Sequence, residues 1–111
     1  MNKLYNRGRA FEYEVKKELE RAGYFVIRSA GSHSPIDLVA ISLGELWLIQ
    51  CKTNAIISKE EENKLLELKK KLNAQIVMAY KQEGSIRYKW IPDMKEIPKP
   101  KRTLQESLPA S

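Results

Sequence analysis

Cysteine is nearly absent from this chain, with Cys51 alone among 111 residues, so no internal disulfide can form and the fold must be held by packing. That suits a reducing compartment. No apolar run approaches the roughly 20 residues needed to span a bilayer, and the N-terminus lacks the apolar stretch of a secretory signal. The expectation is a soluble, cytoplasmic protein with no membrane partner. Histidine occurs once, as His33, in a polar segment where a lone imidazole is usually solvated, and it is left out of the candidate site. Internal repeats are lacking too. Acidic side chains are outnumbered, 14 against 20 basic ones, for a formal charge of +6. This favours polyanionic partners such as nucleic acid.

What is present fits one compact domain, since 42% hydrophobic content in 111 residues builds a single modest core. Residues from about Tyr5 to Ala22 read as an amphipathic helix with Phe11, Val15, Leu19 and Ala22 on one stripe, ended by Gly23. The β-prone run Tyr24 to Arg28 leads into the small, polar stretch Ser29 to Pro35. Two apolar, β-branched runs follow, Ile36 to Ile41 and Leu46 to Thr53, around a break at Ser42-Leu43-Gly44-Glu45. Ser58-Lys59-Glu60-Glu61 has the form of a capping box, opening a helix to about Asn73 with Glu61, Leu65, Leu68 and Leu72 at helical spacing. The acids there suit the helix dipole. Gln75 to Lys81 and Ile86 to Ile91, around a Glu83-Gly84 turn, read as two more strands. The expected fold is α/β, a single domain of αβββαββ order with a central mixed sheet over residues 1–91. Residues 92–111 carry Pro98, Pro100 and Pro109 and few aliphatics, and are expected to form a flexible tail. With four basic and three acidic side chains, this tail accounts for +1 of the +6.

The chemistry concentrates on the hairpin. If Leu43 and Gly44 form a two-residue turn, Ser42 faces Glu45, and counting outward sets Asp37 opposite Gln50, with Cβ atoms roughly 5 Å apart. Gln50 and Lys52 share one face by alternation, and Asp37 joins them, while Cys51 points away as a small buried hydrophobe. An acid, an amide and an amine converge on an apolar sheet, where an unpartnered charge is costly. Such a set can hold a hard cation and hydrolyse a phosphodiester. Lys3, Arg7, Arg9 and Lys81 are candidate phosphate contacts. Leu66, Tyr88 and Trp90 are candidate surface for a second copy.

Through Asn6-Arg7-Gly8-Arg9-Ala10-Phe11-Glu12, Val26-Ile27-Arg28-Ser29-Ala30-Gly31-Ser32, Ile36-Asp37-Leu38-Val39-Ala40 and Gln50-Cys51-Lys52, the chain closely resembles the archaeal-type Holliday junction resolvases of the PD-(D/E)xK nuclease superfamily. The likeness covers about residues 6–91. It implies a restriction-endonuclease-like core and a homodimer that cuts four-way DNA junctions with a divalent metal, Mg²⁺, for which Mn²⁺ substitutes. Residue by residue, it implies that Glu12 is the family's helix glutamate, Asp37 its metal-binding aspartate and Lys52 its catalytic lysine. Gln50 departs from the pattern, because most relatives have glutamate there; a glutamine oxygen can still ligate but brings no charge. Catalytic candidates are therefore Glu12, Asp37, Gln50, Lys52 and Ser32, and metal ligands Asp37, Gln50 and Glu12. Arg28 and Ser32 fall where the family places groups that meet the scissile phosphate.

Lys52 would either stabilise negative charge on the phosphate or help manage the proton of the attacking water. Branched DNA and a second copy of the chain are the expected partners, with replication or repair factors reached through the tail. Two other readings remain: a junction-binding protein of the same fold with weak or no cleavage, and a related nuclease acting on other branched or duplex DNA.

Overall fold

The two apolar runs around Leu43-Gly44 close into a tight hairpin in the computed structural model, which describes residues 3–29 and 34–100 and the side chains of 8–29 and 34–100. The elements are α1 (Lys3–Arg21), β1 (Phe25–Arg28), β2 (Leu38–Ser42), β3 (Glu45–Cys51), α2 (Lys59–Leu72), β4 (Gln75–Gln82), β5 (Ser85–Trp90) and β6 (Glu96–Ile97). They form one six-stranded mixed sheet in the order β1-β2-β3-β4-β5-β6. Only β3 and β4 run parallel. A parallel return needs a crossover, and α2 is that crossover.

Each helix covers a different face. The stripe Phe11, Val15 and Leu19 of α1 packs on the inward side chains of the sheet, Val26, Leu38, Trp47, Ile49, Val77 and Tyr88 among them. On the opposite face Leu65 of α2 packs with Leu48, Ile76, Met78 and Ile91. Strand β4 is buried on both faces from Ile76 to Tyr80, as parallel central strands are. The expected helix ends hold. Gly23 takes φ 100°, and Tyr24 N–H reaches back to the Leu19 carbonyl at 3.0 Å. Ser58 and Glu61 form the full capping box, and Asn73 ends α2 in the left-handed region. Leu72, at the end of the apolar stripe read from α2, is 53% exposed.

Three expectations need correction or completion. The fold runs past Ile91: Glu96 and Ile97 pair with Lys89 and Tyr88 as a sixth strand, and Ile97 is buried in the α1-side core. A two-residue strand among prolines carries too little alternation to be read, and its anchor is the neighbour β5. Tyr88, offered as surface for a second copy, is fully buried, and its hydroxyl donates to Glu18 of α1 at 2.8 Å. Trp90 is partly buried against Trp47 with ring centroids 5.6 Å apart. Residues 101–111 lie outside the described residues, as does Ser32, and of Lys3 and Arg7 only the backbone is described. No described helix is long and apolar enough to cross a membrane.

Candidate functional site

The hairpin register is the one a two-residue turn demands. Ser42 pairs with Glu45, and the ladder continues to Leu38 opposite Ile49, so alternation carries Asp37 and Gln50 toward one another at its open end. Here regular pairing stops. Asp37 N–H donates to the Ile49 carbonyl at 2.8 Å, and its own carbonyl accepts from Ser29 N–H at 2.9 Å. The Asp37 carboxylate then accepts from Cys51 N–H, Oδ2 to N 2.8 Å. On the other side of β3, Lys52 N–H donates to the Ala79 carbonyl at 2.8 Å, which extends the parallel pairing and fixes the lysine backbone. The site thus sits at the carboxyl end of a central strand, where its neighbours on both sides hold it.

Glu12, Asp37, Gln50 and Lys52 line one cavity of about 300 Å³, together with Glu61 and Lys64 of α2. Four expected residues therefore meet as the sequence implied. Burial pushes the Asp37 carboxyl up to about 6, against the pull of the Cys51 N–H and with a further push from Glu12. A carboxylate held this way gains by meeting a cation. The Cys51 thiol packs against the α1-side core, and burial, then the charge of Asp37, pushes it well above its usual range. It is no nucleophile.

Glu12 does not point freely into the cavity. It pairs with Arg28 Nε at 2.9 Å, and the Arg28 guanidinium lies 5.2 Å from the centre of the Tyr13 ring. Two of the expected phosphate contacts are thus seated against acids of α1, since Lys81 pairs with Glu14 at 3.1 Å. Arg9 lies exposed on α1.

Sequence reasoning assigned the Glu60-Glu61-Glu62 run to the helix dipole and missed Glu61 as a wall of the site. Glu61 Oε2 accepts from Lys52 Nζ at 2.8 Å and from Gln50 Nε2 at 3.1 Å. Burial works against its charge, but Lys52 and Ser58 outweigh it and hold the carboxyl below its usual range. The capping box was the signal: it fixes where the Glu61 side chain goes, although not what lies beside it.

The donor set suits a hard cation. Gln50 is 4% exposed, and its Oε1 is buried without a hydrogen-bond partner, a costly state unless a ligand satisfies it. Among the described residues no cluster of three or more His, Cys, Asp or Glu could hold a metal ion. The oxygens that line the cavity and could meet a cation are those of the Asp37 carboxylate and the Gln50 amide, while Glu12 is engaged by Arg28. Oxygen is what Mg²⁺ or Mn²⁺ requires.

Comparison with known proteins follows the same line. The family model for archaeal Holliday junction resolvase (Hjc) matches residues 3–104, past the boundary expected at Ile91. The crossover junction endodeoxyribonuclease Hjc of Methanocaldococcus jannaschii is 37% identical over 90 residues, covering 78% of this chain and 67% of that protein. The solved structure of Hjc from Archaeoglobus fulgidus, a Holliday junction resolvase, superposes with a TM-score of 0.63 at 28% identity, over 74% of this chain and 70% of the other.

Proposed function

Because this chain belongs to the archaeal Holliday junction resolvase family, and is a nuclease of that kind, we propose that it cleaves four-way DNA junctions as a homodimer, using a divalent cation held by Asp37 and Gln50. The observation that carries the cation is the buried, unpartnered Gln50 Oε1 beside a carboxylate whose charge burial opposes. When bound, Mg²⁺ lowers the pKa of a coordinated water and neutralises charge on the phosphate.

The chain's own groups do the rest. Lys52, kept in place by Ala79 and Glu61, offers an ammonium to the negative charge that builds on the scissile phosphate. Glu12 sets the position of Arg28, at the end of β1. Ser29, next to Arg28, is tied to the Asp37 carbonyl, so a phosphate that meets Arg28 is brought to the same end of the sheet as the acid. Arg9 and Lys81 extend the basic surface along α1 and β4, contacting phosphates whatever the base sequence. The junction is then recognised by its shape. Ser32 remains a candidate phosphate contact from the family likeness.

The homodimer reading is supported by an apolar face that neither described helix covers. Val26 faces α1, so Phe25 and Ile27 face the other way; they are 66% and 49% exposed. Phe25 pairs with Ile41, and Ile41 pairs with Leu46, a row of exposed apolar side chains across three strands. A two-fold copy covering this face would provide two cutting centres at a fixed separation.

The deciding experiment mixes the protein with a synthetic four-way junction and Mg²⁺, beside the junction's component duplex as competitor. Paired nicks in the junction arms, with duplex a poor competitor, are expected. Binding without nicks over a broad range of pH, Mg²⁺ and Mn²⁺ would favour a junction-binding protein, which the amide at position 50 makes the nearest rival. Equal competition by duplex would favour a nuclease of another substrate.

A further inference from the structure

An amide at position 50 can serve a cation with one end only. If Oε1 faces the cavity it is a ligand; if the NH₂ group faces it, it repels. Isolated glutamine has little preference between the two, so something must choose. Glu61 does. Its ionised carboxylate accepts and cannot donate, and it stands 3.1 Å from Gln50 Nε2, which leaves Oε1 as the end without a partner. The two oxygens of Glu61 have different duties. Oε2 takes Gln50 and Lys52, while Oε1 accepts from Ser58 N–H at 3.0 Å. Rotating Glu61 away from the site would therefore break the helix cap.

Charge points the same way. With Glu12 engaged by Arg28 and Lys64 by Glu60 at 3.6 Å, the charges left in the cavity are Asp37 and Glu61 against Lys52. Without Glu61 the lysine cancels the aspartate, and nothing net attracts a cation. A strand that offers an amide at position 50 rather than a carboxylate would then leave the site no surplus of negative charge.

We propose that Glu61 is a positioning residue of the nuclease site, which presents the Gln50 amide oxygen-first to the divalent cation, tethers Lys52, and supplies from α2 the negative charge missing from β3. This rests on the cation reading above, but its central claim is testable without metal. In metal-free protein, the ¹⁵N-resolved Gln50 side-chain NH₂ signals report the hydrogen bond to a carboxylate. They are expected to shift and to exchange faster with water in Glu61→Ala, and to stay in place in Ser58→Ala, which weakens the same helix cap without touching Gln50. Titration with Mn²⁺ alone, followed by electron paramagnetic resonance, is expected to show at least about tenfold weaker binding in Glu61→Ala and near-native binding in Ser58→Ala. Junction cleavage at limiting Mg²⁺ should fall with the Mn²⁺ affinity.

The exchange Gln50→Glu with Glu61→Gln supplies the rescue. It moves the carboxylate to the strand and the amide to the helix, and is expected to recover most of the Mn²⁺ affinity that Glu61→Ala loses. NH₂ signals in Glu61→Ala identical to those of the unsubstituted protein would overturn the proposal, as would equal loss of Mn²⁺ binding in Glu61→Ala and Ser58→Ala. If the unsubstituted protein bound no Mn²⁺, the cation reading would fall by itself, and the metal-free NH₂ comparison would still decide whether Glu61 orients Gln50.

Discussion

Asp37 shows how a single residue can be costly to the fold and useful to the site. Its carboxyl is pushed up to about 6, first by burial, so the folded protein takes up a proton more readily than the unfolded chain. The stability Asp37 contributes is therefore complete below its ordinary value near 4 and is lost as pH rises through 6. Above that, metal-free protein bears the full cost of the buried charge. Asn at this position stays neutral and can still accept from Cys51 N–H. Asp37→Asn is expected to raise stability at pH 8 by up to about 3 kcal/mol, to change it little at pH 4, and to abolish junction cleavage. Denaturant melts in EDTA at the two pH values check this. A variant less stable than the parent at pH 8 would show that the Cys51 contact needs the charged oxygen. Asp37, Gln50 and Lys52 were legible because turn length and alternation are local rules that place side chains over short distances. Glu61 was not: the box Ser58-Lys59-Glu60-Glu61 can be read as a helix start, but that this start lies over the end of β3 depends on how α2 crosses the sheet.

At the scale of elements, the weakest local signal has a clear structural duty. β6 is two residues long, yet it shields the open edge of β5 and sends Ile97 into the core beside Tyr88 and Val77. Ending the chain at Ile91 exposes that edge and removes the anchor. The expected cost is roughly 2 to 4 kcal/mol, in line with deleting a buried aliphatic side chain. Ending it after Pro100 keeps β6 and is expected to leave the melting temperature within a few degrees. Thermal melts of the two truncations distinguish this from a tail that begins at Pro92, for which both would melt alike. The two helices announced themselves through a period of 3.6, Gly23 and the capping box, and the hairpin through two apolar, β-branched runs around a break. Tyr88 was harder. Alternation along Ile86, Tyr88 and Trp90 shows that they share a face, but not that α1 reaches far enough to cover Tyr88 with Glu18.

For the whole molecule, the exposed row Phe25, Ile41 and Leu46 sets the expectation. Replacing Ile41 with Asp puts a charge in the middle of the apolar face and is expected to convert the proposed dimer to a monomer in sedimentation, while the monomer stays folded because Ile41 lies outside both buried clusters. Paired cutting of a junction should then give way to single nicks. A dimer that survives Ile41→Asp would move the interface elsewhere. The sheet has one more consequence. Lys52 is anchored by Ala79 across the parallel join of β3 and β4, and Glu61 belongs to the crossover between them. A nascent polypeptide still on the ribosome, with Ala79 not yet emerged, holds the acid, the amide and the amine but cannot lock them together. The hairpin thus waits for β4 before its amine is anchored.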